Sequence, residues 1–287
     1  MVYTEFLKSV TESIEKMGFE IEIRKFPHGG DAVVIRSDID DRYSPVIYPQ
    51  YYYDHYDLKN YDNEKMIIGM IKDDLRHNFE LLKENMPEPS ELLDYGKAIN
   101  HIIPKFISKE TAESCYPDEI VKIPYLDFYI TFIYIIAKEK SQIISYTVNK
   151  DMFSNYKVDE HQLLEDAIKT DESLMKIDIE QIEDALGLEP DPRSSFTVVT
   201  NTSRMFGAAV ILYKDVLKNY AERIGSSFSI IPSSIHEMLL IPDSMKISVN
   251  ELQDMLLDVN STLVKPSEIL GSHIYRYDMD TEKLSIA

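Results

Sequence analysis

Apolar residues recur along this chain with two different periods, and the order of these periods limits the fold more than any other feature. Near the start, helical spacing between Phe6 and Met17 predicts a helix that Gly18 ends. Strict alternation between Phe19 and Ile23 then predicts a half-buried strand. Runs of strands with intervening helices continue along the chain without a regular strand–helix alternation. This order predicts an α+β protein with mixed or antiparallel sheets and packed helices.

Segments rich in proline and glutamate indicate where the chain divides into lobes. The segment Asn85–Ser90 carries two prolines directly after a long predicted helix, which makes it the first candidate boundary. The 287 residues are enough for one large domain or two small ones. We expect two lobes, residues 1–88 and 89–287, with one compact unit as the alternative. Glu189–Ser195 is a second hinge-like loop.

The charge of the chain excludes several classes of partner. Fifty acids against 30 bases give a net charge of −20. Such a field repels phosphates and anionic membranes, so we expect no direct nucleic-acid or membrane binding, and it favours a basic protein partner. The longest apolar stretch, Leu126–Ala137, is too short to cross a bilayer. A single cysteine, Cys115, and a start without a signal-peptide pattern lead us to expect a cytoplasmic protein.

Half of this excess charge falls in one segment. Between Val158 and Asp191 lie twelve acids and two lysines, a net charge of −10. Interleaved apolar residues predict a packed amphipathic region, which Asp159 opens as a helix cap. The segment is either a solvated face or a surface that presents carboxylates to a basic protein.

The region after residue 195 is predicted to be rich in strands. Phe196–Thr200 and Gly207–Tyr213 are expected to form two of them. Phe228–Ile231 and Ile235–Ile241 are expected to form two more, joined by a turn at Pro232–Ser234.

Polar residues around that turn are the candidate catalytic group. Ser233 and Ser234 lie close in sequence to His236 and Glu237, and Asn201 follows an earlier strand. This composition permits a hydrolase hypothesis, although there is no G-x-S-x-G elbow. If His236 and Glu237 lie in a strand, they point to opposite faces and cannot form one relay. The alternative is a turn whose hydroxyls satisfy backbone groups.

Tyrosines form a second candidate cluster. Tyr51, Tyr52 and Tyr56 belong to a tyrosine-rich stretch that is either a binding surface or a helix docked by its aromatics.

Asp73, Asp74 and His77 share a helix face, which is typical of a solvated surface. The sequence contains neither phosphate-binding glycine motif nor a metal-ligand spacing, so we expect no cofactor and no metal.

Three strings in the C-terminal half resemble a known family. They are Val198–Asn201, Phe206–Tyr213 and Ile231–Glu237. Together they are similar to domain-of-unknown-function family 5688, a group of uncharacterised bacterial proteins, and more distantly to the YtpQ-like group. Neither resemblance implies a reaction, a cofactor or a catalytic residue.

Three functional readings follow from the sequence. The first is a non-enzymatic cytosolic protein that acts by binding through an acidic surface. The second is an enzyme of unrecognised type with a polar site near Ser234 and His236. The third is an accessory or anti-defence protein of a mobile element that uses acidic mimicry.

Overall fold

The computed structural model describes residues 2–25, 31–36, 45–55, 61–116, 118–139, 143–187, 189, 196–265 and 267–287, without the side chains of residues 51, 54, 55, 61, 62 and 186. The chain divides into two compact units, Met1–Met86 and Pro87–Ala287. The lobes expected from the sequence, 1–88 and 89–287, stay a prediction as independently folding domains. Most of the hinge-like loop Glu189–Ser195 lies outside the described residues.

In the described part of the N-terminal unit, three helices accompany a small antiparallel sheet. Its elements are α1 Tyr3–Glu15, β1 Glu20–Lys25, β2 Asp31–Arg36, β3 Val46–Ile47, α2 Pro49–His55 and α3 Tyr61–Asn85. The sheet has the order β1-β2-β3. Phe6, Val10 and Ile14 are buried on one face of α1, as their spacing predicts. Gly18, with a φ of 95°, turns the chain from α1 into β1.

The C-terminal unit contains two further antiparallel sheets among the described residues. Its helices are α4 Pro89–Leu93, α5 Tyr95–Ala98, α6 Lys109–Cys115, α7 Lys150–Tyr156, α8 Glu160–Leu174, α9 Ile182–Leu186, α10 Val216–Ile224 and α11 Val249–Thr262, with 3₁₀ turns at Ile99–His101, Gly207–Leu212 and Asp243–Met245. Its strands are β4 Ile102–Ser108, β5 Ile123–Tyr125, β6 Phe128–Lys138, β7 Ile143–Thr147, β8 Ile177–Gln181, β9 Thr197–Asn201, β10 Phe228–Ser234, β11 Glu237–Pro242, β12 Tyr275–Asp278 and β13 Lys283–Ile286.

Strand order places the two sheets of this unit around a shared core. In the smaller sheet, β6 pairs with β4 on one side and with β5 and β7 on the other. The larger sheet has the order β13-β12-β10-β11-β9-β8. Phe106 and Phe132 of the first sheet and Phe228 and Tyr275 of the second belong to one buried cluster. The protein is therefore α+β, as predicted, and its sheets are antiparallel.

Two helix starts follow the predicted capping chemistry. The Asp159 side chain accepts the backbone N–H of Gln162 and begins α8. Ser248 and Glu251 form a capping box that begins α11. Among the described helices, none is long and apolar enough to cross a membrane.

The prediction of a strand at Gly207–Tyr213 is wrong. Residues Gly207–Leu212 form a 3₁₀ helix, which Phe206 enters with a left-handed φ of 58°. Every residue from Gly207 to Ile211 is buried, so the apolar run marks burial on all sides and not strand alternation. A Cβ on Gly207 would lie 2.2 Å from Thr200 Oγ1 and 2.7 Å from the Asn201 nitrogen. Only glycine permits this approach of the 3₁₀ helix to β9.

The predicted turn at Pro232–Ser234 lies two residues further along the chain. Pro232 to Ser234 are the last residues of β10, and Ser234 pairs with Glu237 of β11, which leaves Ile235 and His236 as the turn. The register shifts between Ile231 and Ser234. A β-bulge is the position in a strand where proline, without an N–H, is tolerated. His236 is thus a turn residue, and the argument that placed it in a strand does not apply.

Candidate functional site

The turn between β10 and β11 uses both of its serine hydroxyls for its own hydrogen bonds. Ser234 Oγ accepts the backbone N–H of His236 at 3.0 Å. Ser233 Oγ donates to Glu237 Oε1 at 3.2 Å. Both serines are 8% exposed. These contacts explain the serines as turn residues, and a catalytic role for Ser233, Ser234 or Glu237 stays a prediction.

Asn201 organises the loop between β9 and the 3₁₀ helix. Its side chain is fully buried, its Oδ1 accepts the N–H of Ser203 at 3.0 Å, and its Nδ2 donates to the Met205 carbonyl at 3.0 Å. Both ends of the amide are therefore engaged by the backbone. The loop in turn carries Phe206 to the His236 ring.

The His236 ring is held by hydrogen bonding on one nitrogen and by a carboxylate on the other. Nδ1 accepts the backbone N–H of Phe206 at 3.1 Å, and the two rings stack with centroids 5.7 Å apart. Because Nδ1 is an acceptor, the proton of the neutral ring is on Nε2. Nε2 lies 3.5 Å from Glu268 Oε1. His236 can take up a proton at Nδ1 only by breaking its bond to Phe206, which argues against a serine–histidine relay.

Glu268 connects this ring to a lysine and to the backbone of the turn. Its Oε1 lies 3.1 Å from Lys265 Nζ, and its carbonyl accepts the N–H of Ile235 at 2.9 Å. Burial acts to raise the pKa of Glu268, but His236 and Lys265 outweigh it, and the pKa is lowered. The group is therefore a carboxylate at neutral pH.

Lys105 points at the same place from the other sheet. It lies in the middle of β4, and its Nζ is 4.7 Å from the centroid of the Phe206 ring. Burial lowers the pKa of Lys105 to about 8, while the charge of Glu268 acts in the opposite direction. Among the residues that the structure describes, no carboxylate lies within 4.0 Å of this ammonium group. A partly buried cation without a counter-ion is uncommon, because desolvation favours pairing.

Thr131 adds a second polar group without a partner. It is the cross-strand neighbour of Lys105 on β6, so the two side chains lie on the same face of the sheet. Thr131 is 2% exposed, and its Oγ1 has no hydrogen-bond partner. Buried hydroxyls are nearly always hydrogen-bonded, so an orphan beside an unpaired lysine calls for an explanation.

We define the Lys105 site by the residues that converge here. They are Lys105, Thr131, Phe206, His236, Lys265 and Glu268. Without counting His236, two lysines and one glutamate give a local charge of +1 in a protein of charge −20. The side chains of His236, Glu268 and Lys265 are 20%, 23% and 31% exposed, so solvent reaches this side of the site, whereas the Thr131 hydroxyl is buried.

Comparison with known proteins gives a family and no chemistry. A family model described as a family of unknown function, DUF5688, matches residues 3–279. The chain belongs to DUF5688. No curated protein and no solved structure matches it. The resemblance predicted from the C-terminal strings is confirmed, and those strings contribute Phe206 and His236 to the Lys105 site of this DUF5688 chain.

The tyrosine cluster is only partly described. Tyr53 packs edge-on against Tyr3, at 5.3 Å, and tilted against Phe6, at 6.0 Å, so α2 docks on α1 through an aromatic side chain. Tyr52 is half-buried. The Tyr51 side chain and Tyr56 lie outside what the structure describes, and binding by Tyr51, Tyr52 and Tyr56 stays a prediction.

Metal ligands do not converge in the described part of the chain. No group of three or more histidine, cysteine, aspartate or glutamate side chains there could hold a metal ion. Asp73, one of the three residues on the shared helix face, pairs with Arg76 at 2.8 Å.

The acidic segment forms α8, β8 and α9, and its charge is less uniform than its sequence. Asp171 is 1% exposed, and burial raises its pKa to about 7. Arg204 pairs with Asp178 and Glu180 on β8. β8 is an edge strand of the six-stranded sheet. Asp191 lies outside the described residues.

Sequence reasoning found His236 and missed the other charged members of the site. Glu268 and Lys265 lie in a loop after α11, where no motif marks them. Lys105 had a usable signal, because it is a lone charge at the centre of the apolar run Ile102–Ile107. A charge at that position of a buried strand is costly unless the fold gives it a use.

Proposed function

We propose that this chain is a binding protein whose C-terminal unit holds a small carboxylate at the Lys105 site. The observation that carries the proposal is the unpaired Lys105 ammonium beside the unpaired Thr131 hydroxyl. Together they offer a positive charge and a hydrogen bond to one oxygen-rich anion. With a pKa of about 8, most of Lys105 is protonated at neutral pH.

The charge of the site favours a carboxylate over a phosphate. A local charge of +1 balances a monoanion, and the nearby Glu268 carboxylate repels a dianion. No glycine-rich loop supplies converging backbone N–H groups, which are typical of phosphate sites. Phe206 provides an apolar wall for the body of the ligand.

Ligand-induced stabilisation tests the proposal. A series of carboxylates from acetate to citrate, with inorganic phosphate for comparison, is added while the unfolding temperature is recorded. A ligand present at a hundred times its Kd stabilises a protein by about 2.7 kcal/mol. We expect this shift for at least one carboxylate and its loss in Lys105→Met.

The matched control is Lys122→Met. Lys122 also lies over an aromatic ring, that of Tyr129 at 5.8 Å, but it donates to the Tyr116 carbonyl. This variant should keep the carboxylate response. Equal responses in Lys105→Met and the unchanged protein would contradict the proposal.

A second binding function is supported by the position of β8. We propose that β8, an edge strand among the described residues, accepts an extended basic segment of a protein partner. Its Asp178 and Glu180, which now pair with Arg204, are flanked by the acidic α8 and α9. In a cytoplasmic setting, which the charge and the lone cysteine favour, such binding should weaken as salt rises. Asp178→Asn with Glu180→Gln should weaken capture of a basic β-forming peptide, whereas Asp254→Asn with Asp258→Asn on α11 should not.

A further inference from the structure

We infer that Lys105 is a nucleophilic amine that forms an imine with a 2-oxo carboxylate bound at the Lys105 site. This inference rests on the proposed function, because the carboxylate is what brings the carbonyl to the amine. In a 2-oxo acid the carbonyl carbon is bonded to the carboxylate carbon, two bonds from the oxygens that the ammonium group binds. The same nitrogen therefore reaches it after losing a proton.

The position of Lys105 prepares the amine for this role. Its strand neighbours on the same face, Ile103 and Ile107, are buried, and its head lies over the Phe206 ring. Lys169, Lys218 and Lys265 each have a carboxylate within 3.1 Å, which stabilises the ammonium form. No described carboxylate does this for Lys105. Desolvation without a counter-ion is a common way in which proteins activate a lysine.

The supply of neutral amine is correspondingly high. Burial lowers the pKa of Lys105 to about 8, whereas an ordinary lysine has a pKa of about 10.4. At pH 7 roughly a tenth of Lys105 is then neutral, more than a hundred times the fraction for an exposed lysine.

Two groups in the Lys105 site, the Glu268 carboxylate and the Thr131 hydroxyl, are able to carry protons. The Glu268 carboxylate, held by Lys265, interacts electrostatically with Lys105, and the Thr131 hydroxyl is unpaired on the same sheet face. Because no described carboxylate lies within 4.0 Å of the ammonium group, Glu268 would accept its proton, and return one to the departing oxygen, through an intervening water. His236 fixes the orientation of that carboxylate from its Nε2 side, at 3.5 Å.

The reaction balances without a further reagent. The nitrogen lone pair bonds to the carbonyl carbon while the π pair moves to oxygen, which takes a proton. The carbinolamine then loses this oxygen as water, whose two protons correspond to the two that the neutral amine gives up. One C=O and one amine give one C=N and one water, with no change of oxidation state.

Reductive trapping tests the inference. The full-length protein is incubated at pH 7 with pyruvate or glyoxylate and sodium cyanoborohydride, which delivers hydride to an imine carbon, and labelled peptides are mapped by mass. We expect Lys105 to be labelled at least about tenfold faster than Lys122, because burial lowers the pKa of Lys105 and the bound carboxylate brings the carbonyl to it. The rate should saturate with 2-oxo acid, and acetone, which lacks a carboxylate, should label Lys105 poorly.

Two variants separate this inference from the proposed function. Lys105→Arg keeps the positive charge but cannot form the imine, so it should retain the carboxylate response while trapping at residue 105 is lost. Lys105→Met should lose both. Uniform labelling of many lysines, or none at Lys105 in a protein that still shows Lys105-dependent stabilisation, overturns the imine and leaves carboxylate binding intact. Absence of both responses overturns both proposals.

Discussion

Two histidine–carboxylate pairs in the C-terminal unit differ in what they leave unsatisfied. His273 Nδ1 lies 2.6 Å from Asp127 Oδ2, and Tyr275 donates its hydroxyl to the other oxygen of Asp127. The His273 side chain is 53% exposed. His236, paired with Glu268, has both nitrogens engaged. By composition, the His273 pair resembles the acid–base part of a triad more closely.

A histidine paired with a carboxylate is present in both regions, so the histidine does not distinguish them. The polar groups without a partner near His236 identify the more promising binding site. Both oxygens of Asp127 are used, because they join the β5–β6 turn to β12. Gln253 and Asn260 of α11 donate to the carbonyls of Ser272 and Gly271, and the Asn260 Oδ1 is left without a partner. Around His236 a lysine and a threonine have no polar partner in the described structure. The Asp127 carboxylate has its partners within the chain and acts as a clamp between the β5–β6 turn and β12. The unpaired groups of the Lys105 site can instead be satisfied by a ligand.

The largest difference in stability between the two regions should appear when one glycine in each is replaced by alanine. Gly207→Ala places a Cβ 2.7 Å from both the Asn201 nitrogen and the His236 carbonyl oxygen, which are backbone atoms that cannot move independently. We expect a loss of about 3 kcal/mol or more in the free energy of unfolding by urea, or failure to fold. Gly271→Ala meets the Tyr275 hydroxyl at 2.8 Å, the end of a side chain, and should cost about half as much. A larger loss for Gly271→Ala would reverse the comparison.

Asp127→Asn should be the next largest change, because it removes a charge that two donors share. We expect a loss of about 2 kcal/mol in unfolding free energy. Burial, and then the bond and charge of Asp127, raise the pKa of Tyr275, so its phenol should titrate at lower pH in the variant. Ultraviolet titration checks this, with the exposed Asp254→Asn as control. An unchanged Tyr275 titration would mean that Asp127 is not the anchor of this clamp.

Lys105→Met should stabilise the protein while removing carboxylate binding. Because burial lowers the pKa of Lys105 in the folded state, the unfolded chain binds more protons between about pH 8 and the ordinary lysine pKa of about 10.4. This lysine therefore makes the folded protein more stable as pH rises through that window. Below pH 8 the variant should be more stable by about 1–2 kcal/mol, a discounted figure because Lys105 is only partly buried.

The measurement is urea unfolding of both proteins across pH 7 to pH 10, since their difference isolates Lys105 from the other titrating groups. Glu268, Lys265 and His236 are the charged or titratable groups near Lys105, and they are the same in both proteins. A constant difference across the range would show that the Lys105 pKa is not lowered.

The smallest effect should come from Ser234→Ala. It removes the acceptor for the His236 backbone N–H, which should cost about 1 kcal/mol. Carboxylate-induced stabilisation should persist, because Lys105 and Thr131 are untouched. Loss of the response with little loss of stability would bring Ser234 into the site and revive the enzyme reading of this turn.

Local patterns predicted most elements, and long-range packing decided the rest. Spacing and caps were enough for α1, α8 and α11, whose signals lie within a few residues. They failed at Gly207–Leu212, because the contact with Thr200 and the His236 carbonyl that excludes a side chain there comes from distant strands. The Lys105 site has the same origin. Lys105 and Glu268 are far apart in sequence, and the contacts of Phe206 with Lys105 and with His236, together with the bond between Ile235 and Glu268, bring them together.

The two edges of the six-stranded sheet have a consequence for storage and expression. β8 carries Asp178 and Glu180, both paired with Arg204, at one edge, and β13 presents Lys283 and the 45% exposed Ile286 at the other. Open edges are templates for intermolecular strand pairing, and like charges hinder it. Two copies meeting β8 to β8 repel each other, but a β8 edge and a β13 edge attract. Concentrated preparations at low ionic strength should therefore form head-to-tail fibres, and moderate salt should prevent this association.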